Sequence, residues 1–189
     1  MPWGSPIRAE QIDARLSTGL FDTLTLIHNE TSTGTMSPLA EIAALKAKHP
    51  DVMFIVDAVS SMTAVPLGFD ALGSKLDEFF AEGLEARYAR HAETNQMLRD
   101  WIAKHGFTLF PEPEFSSKTL VCVNNGARPG SRVVDAAKLQ KLVKDQGILI
   151  DGGYGKIKGT TFRISNMGDE TPETIGALIA VLDKAMAQL

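Results

Sequence analysis

The run Phe54-Ile55-Val56-Asp57 stops abruptly at a carboxylate, and no other stretch of the chain restricts its fold as much. Residues 52–56 have the continuous β-branched and aromatic content of a strand buried on both faces, set between Pro50-Asp51 and Ser60-Ser61. Asp57 then stands at a strand's carboxyl end. Ligands of open α/β sheets bind along that edge, so an acid there either caps the next turn or faces a ligand.

The residues before it supply the rest of a layer. Residues 7–16 carry Ile7, Ile12 and Leu16 among charges, a short amphipathic helix closed by Gly19. Residues 24–27 read as a buried strand running into the polar loop His28-Asn29-Glu30-Thr31-Ser32-Thr33-Gly34. Ser37 and Pro38 predict a helix start as cap and first residue, with Leu39, Ile42, Ala43 and Leu45 as its apolar stripe up to His49-Pro50. Strand, loop, helix, strand, loop is the pattern of a parallel α/β layer, with both loops leaving carboxyl ends. If the strands are neighbours, the hydroxyls of residues 31–33 and the Asp57 carboxylate open onto one crevice.

After Pro66-Leu67-Gly68 the texture changes. Residues 75–104 predict one long charged helix, with Leu76, Phe79, Phe80, Leu84, Tyr88, Met97, Leu98 and Ile102 on its apolar side and Gly83 as its weak point. Strands are expected at 107–110, 119–123, 148–150 and 160–164, and a helix at 133–144. Thr171-Pro172 opens a last helix with Ile175, Leu178, Ile179, Leu182 and Met186 as its stripe. The expected fold is therefore α/β, a partial, mainly parallel sheet, followed by an α+β unit.

Composition removes several classes of function. The 189 residues are 44% hydrophobic and 22% charged, with a net charge of −4 and no basic tract, so the footprint of a nucleic-acid binder is missing. No segment approaches the roughly twenty apolar residues of a membrane span, and Met1-Pro2-Trp3-Gly4 does not begin a secretory signal, which sets a cytoplasmic protein as the expectation. Cys122, alone of its kind, sits in an apolar run as a core residue, which leaves disulfides and cysteine metal sites out. The four histidines do not pair at ligand spacing, and Ser60-Ser61 lacks a nucleophile elbow. Gly152-Gly153-Tyr154-Gly155 lies between two strands and not before a helix, so these are turn glycines and not a phosphate loop. The charge run over 78–90 reads as a solvated helix face. Arg163, in Phe162-Arg163-Ile164, is aimed by period-two alternation away from its apolar neighbours. It either pairs with a local acid or serves as a fork for a carboxylate.

Five stretches taken together resemble the class V, fold type I aminotransferases that use pyridoxal phosphate, in particular the alanine-glyoxylate and serine-glyoxylate branch. They are Trp3-Gly4-Ser5-Pro6-Ile7, residues 28–34, Val56-Asp57-Ala58-Val59-Ser60-Ser61, residues 82–91 and Phe162-Arg163-Ile164-Ser165-Asn166-Met167-Gly168, in the family's order and over most of the chain. The resemblance implies that Asp57 pairs with the cofactor's ring nitrogen, that Val59 packs on the ring face and that Thr31 contacts the cofactor near its phenolic oxygen. Arg163 would grip the substrate's α-carboxylate. It further implies a homodimer, amino acids and 2-oxo acids such as glyoxylate or pyruvate as substrates, a truncated large cofactor domain over 1–75 and a small domain over 76–189.

The departures from the family are as informative. Its members are roughly twice this length. The glycine-rich phosphate-binding turn has no counterpart here, and neither has the segment between residues 68–73 and 82–85 that carries the Schiff-base lysine. Lys75, in Gly73-Ser74-Lys75, echoes the pattern before that lysine and is the candidate anchor. Because such a lysine is both covalent anchor and base, its loss predicts impaired transamination. The alternatives are a catalytically inactive binding or assembly module, or a remnant without a role.

Overall fold

The computed structural model describes residues 2–62, 64–65 and 82–189. The chain begins with helix α1 (Ala9–Leu16), whose Arg8 N–H is capped by the side chain of Gln11 at 3.1 Å. Strand β1 (Thr23–Ile27) follows, then a short antiparallel pair, β2 (Asn29–Glu30) with β3 (Thr35–Met36), inside the stretch expected to be a plain loop. Helix α2 (Leu39–Lys48) leads to β4 (Met53–Asp57), which lies parallel to β1 with Ile27 opposite Asp57. The parallel βαβ unit read from the sequence is present.

Two details of that reading are corrected. Strand β4 is not buried on both faces. Leu24, Leu26, Val52 and Phe54 pack against Ile12, Leu16, Leu39 and Ile42 of the two helices, while Ile27, Met53 and Ile55 on the other face are exposed, because α1 and α2 lie on one side only. Parallel sheets are ordinarily covered on both sides. Ser37 does not cap α2. Its hydroxyl donates to the Ile27 carbonyl (3.2 Å) and its N–H to that of His28 (2.7 Å), so Pro38 takes the cap position.

The long helix, α3, runs over Leu84–Lys104 and starts at Gly83 (φ +85°), which is its boundary and not a weak point within it; the expected turns over 75–81, and Lys75 itself, lie outside the described residues. Strand β5 (Thr108–Leu109), strand β6 (Leu120–Asn124), helix α4 (Ala136–Lys144), strand β7 (Asp151–Gly152), strand β8 (Thr161–Ser165) and helix α5 (Pro172–Met186) complete the chain. The second sheet is antiparallel in the order β5-β6-β8-β7. The strand expected at 148–150 is displaced to Asp151–Gly152, because the Ile148 N–H closes the end of α4 on the Val143 carbonyl (3.3 Å). Thr171 caps α5 as expected, accepting from the Thr174 N–H at 3.3 Å.

One face of this sheet makes the main core. Val121, Val123, Phe162 and Ile164 meet Leu98, Trp101 and Ile102 of α3, Leu139 and Val143 of α4, and Ile175, Leu178 and Leu182 of α5. Phe107 meets Phe162 edge to face, ring centroids 5.5 Å apart. The amino half of α3 turns polar residues inward: Asn166 bonds the Asn95 side chain (3.1 Å), Thr94 Oγ1 (3.1 Å) and the His91 carbonyl (3.2 Å), all buried. The charge run is not wholly solvated either. Arg87 is buried and pairs with Glu82 (2.8 Å), which also holds Arg90 (2.5 Å). Among the described residues no helix is long and apolar enough to cross a membrane.

Candidate functional site

The opposite face of the antiparallel sheet positions the site. Cys122, Arg163 and Asp151 are neighbours across β6, β8 and β7, so they share the face away from Phe162 and Ile164, as period-two alternation predicts. The 30–35 loop lies on that face. A Cβ on Gly34 (φ +70°) would come within 2.9 Å of the Cys122 Cβ, and the Gly34 carbonyl accepts from the Ser117 N–H at 2.6 Å. That contact requires glycine. Cys122 is fully buried and its thiol is pushed up to about 12 by burial, which fits a core residue and not a nucleophile.

Asp57, at the carboxyl end of β4, lines a cavity of about 640 Å³. Its lining includes the apolar Trp3, Ile7, Ile27 and Ile55 and the polar Glu30, Ser32, Thr33, Thr35 and Ser37. Asp57 Oδ1 accepts the Val59 N–H at 3.1 Å, so the acid caps the turn and faces the cavity at once. Val59 is 87% exposed. Beneath this turn His28 Nδ1 and Ser61 Oγ are 2.8 Å apart, both buried, and burial lowers the His28 pKa. Asn29 ties the turn to the residue before β6 through Ser60 and Thr119, and its Oδ1 is a buried acceptor without a partner among the described residues.

Arg163 does not line that cavity. Its guanidinium bonds the Thr31 carbonyl (2.9 Å) and the Gly152 carbonyl (3.3 Å), forms an ion pair with Asp151, and lies 4.3 Å from the centroid of the Tyr154 ring. Thr31 therefore joins the two places, since its neighbours Glu30 and Ser32 line the Asp57 cavity while its own carbonyl holds Arg163. Sequence reasoning missed Glu30, Asp151 and Tyr154. The first is an acid within the quoted loop; the other two become partners of Arg163 only through the register of β7 on β8.

The described residues fit the ring end of pyridoxal phosphate. An acid stands at a strand's carboxyl end, an open isopropyl group lies two residues on, and hydroxyls gather nearby. For the phosphate end, no cationic side chain lines the cavity among the described residues. No group of acids, histidines or cysteines among them could hold a metal ion.

No protein-family model matches the chain. It is 23% identical over 260 positions to the small subunit of a soluble hydrogenase from Synechococcus sp. (strain PCC 6716), covering 100% of this chain and 66% of that protein. It is 24% identical over 235 positions to the 2-aminoethylphosphonate-pyruvate transaminase of Aeromonas hydrophila subsp. hydrophila, covering 86% of this chain and 60% of that protein. Among solved structures it is similar to ureidoglycine-glyoxylate aminotransferase from Bacillus subtilis, with a TM-score of 0.84 and 20% identity over 100% of this chain and 66% of that one. The chain thus spans about two thirds of the length of the curated relatives it matches. The first alignment has 260 positions against 189 residues here, so 260 less 189, or 71, of its positions face a gap within this chain. The chain's sequence relatives thus include class V aminotransferases, and its fold matches that of fold type I aminotransferases, with this chain shorter than the proteins it matches.

Proposed function

We propose that the chain serves pyridoxal phosphate-linked transfer of an amino group between an amino acid and a 2-oxo acid such as glyoxylate or pyruvate, in impaired form. The observation that carries this reading is Asp57, which ends a parallel strand at the mouth of a cavity of about 640 Å³. Asp57 would hold the ring nitrogen protonated, Val59 would cover one ring face and the Thr31 hydroxyl would contact the phenolic oxygen. When bound, the cofactor supplies an electron sink for the bond broken at the substrate's α-carbon. Arg163 would orient that carbon by gripping the α-carboxylate. The cofactor-side unit would span residues 1–75 and the smaller domain 76–189, a division supported by their separate apolar clusters.

The impairment rests on the covalent anchor. The family's lysine segment has no counterpart in the sequence, and Lys75, the one candidate replacement, lies outside the described residues. Two measurements test the reading. The purified protein is mixed with pyridoxal phosphate, dialysed and read for retained absorbance, and borohydride reduction followed by peptide mass mapping asks whether Lys75 carries the label. Retention without a labelled lysine is the expected result; no retention removes the reading.

A second reading, a binding or assembly module, is favoured by the exposed apolar face formed by Ile27, Met53 and Ile55 of the parallel sheet, with Val59 exposed beyond its end. A homodimer would cover it. Sedimentation equilibrium that gives a monomer at every concentration would remove this second reading.

A further inference from the structure

The guanidinium of Arg163 is largely covered. Arg163 is 9% exposed, and of the four groups that meet its guanidinium among the described residues two are main-chain carbonyls, those of Thr31 and Gly152. The other two are side chains, one on β7 and one in the turn that leaves it, and both are open to solvent: Asp151 of β7 with 56% of its side chain exposed, and Tyr154 of the turn at 52%. They are coupled to each other, since the Tyr154 hydroxyl donates to Asp151 Oδ2 at 3.1 Å, the same oxygen that meets Arg163. Carbonyl dipoles leave the positive charge in place; among the described residues only the Asp151 carboxylate neutralises it.

We propose that Asp151 and Tyr154 form a displaceable internal occupant of the Arg163 seat, so that a carboxylate ligand binds only by exchanging with the Asp151 carboxylate. The inference rests on the reading of Arg163 as a carboxylate seat and adds what regulates access to it. The exchange is like for like, one carboxylate oxygen for another on the same N–H groups, which a neutral ligand cannot match. It leaves the backbone where it is, because Asp151 stays paired to Arg163 through β7 and β8 and only its side chain turns away. Tyr154 moves with it, carrying its ring off the guanidinium. A competitor built into the same chain acts at high effective concentration, so the apparent affinity for external carboxylates falls by the fraction of time the seat is open.

The test is a titration of the purified chain, without cofactor, with pyruvate and with pyruvamide, following the ligand's own signals by saturation-transfer NMR. Asp151→Asn should tighten pyruvate binding at least tenfold over the wild type while leaving pyruvamide unaffected, and Arg163→Gln should abolish pyruvate binding. Tyr154→Phe, which lacks only the hydroxyl, should shift the affinity the same way by less. Equal affinity in wild type and Asp151→Asn, no binding by Asp151→Asn, or binding that survives Arg163→Gln each overturns the proposal and leaves Asp151 as a strut for the turn. Since no pyridoxal phosphate is present, retention of the cofactor through Asp57 stands or falls separately.

Discussion

The side-chain amide of Asn29, the first residue of β2, donates to the hydroxyl of Thr119 at 2.9 Å, ninety residues later and just before β6. The same amide reaches Ser60 O and Oγ at 3.1 and 3.2 Å. One buried side chain thus fastens the turn after Asp57 to the antiparallel sheet. Asn29→Ala should cost about 2–3 kcal/mol in denaturant unfolding, since it strands buried partners as well as losing its own bonds.

The glycine at 153 is required by space. A Cβ there would run into the Ile157 carbonyl and Thr161 Oγ1. Gly153→Ala should therefore push the 151–157 turn outward at a cost of roughly 1–3 kcal/mol. The check is hydrogen exchange, in which the Gly153 N–H, bonded to the Thr161 carbonyl at 3.1 Å, loses its protection while the α3 amides keep theirs.

Acid should weaken the fold in two stages. Burial holds the imidazoles of His28 and His91 below their ordinary 6.5, so the unfolded chain takes up protons first. Their contribution is complete above pH 6.5 and is lost as the pH falls below it. Arg90, with Arg87, holds Glu82 at about 2, and Lys104, with His105 and Trp101, holds Asp183 at about 2. Those contributions are complete above the ordinary 4.5 and 3.8 and are lost toward pH 2. A thermal melting series should show both falls; His28→Asn with His91→Asn should flatten the first and leave the second, and Glu82→Gln should reduce only the second.

Removing the centre of the main core gives a direct scale. Phe162 is fully buried and meets Phe107 edge to face. Phe162→Ala should cost about 3–5 kcal/mol, read as a lower denaturation midpoint at unchanged slope.

The parallel βαβ unit, the placement of Arg163 opposite Phe162 and Ile164, and the Thr171-Pro172 helix start were legible because each rests on local periodicity or capping chemistry. Ser37 misled, because a hydroxyl that can cap a helix can equally bond the strand beside it. The buried polar residues of α3 were hidden because Thr94 and Asn95 are satisfied by Asn166, a partner more than seventy positions away. Exposure of Ile55 was hidden for a related reason. An apolar strand reads the same whether one or two layers cover it, and α1 and α2 cover only one side. The ion pair between Asp151 and Arg163 depends on strand register, which no local pattern states.

The claim on which the rest depends is that Asp57 still holds a pyridine ring nitrogen. The most direct measurement is an absorbance titration with pyridoxal phosphate of the wild type and Asp57→Ala side by side. Saturable binding in the wild type, weakened at least tenfold in the variant (about 1.4 kcal/mol), is the predicted result. Equal binding by both, or binding by neither, would contradict it.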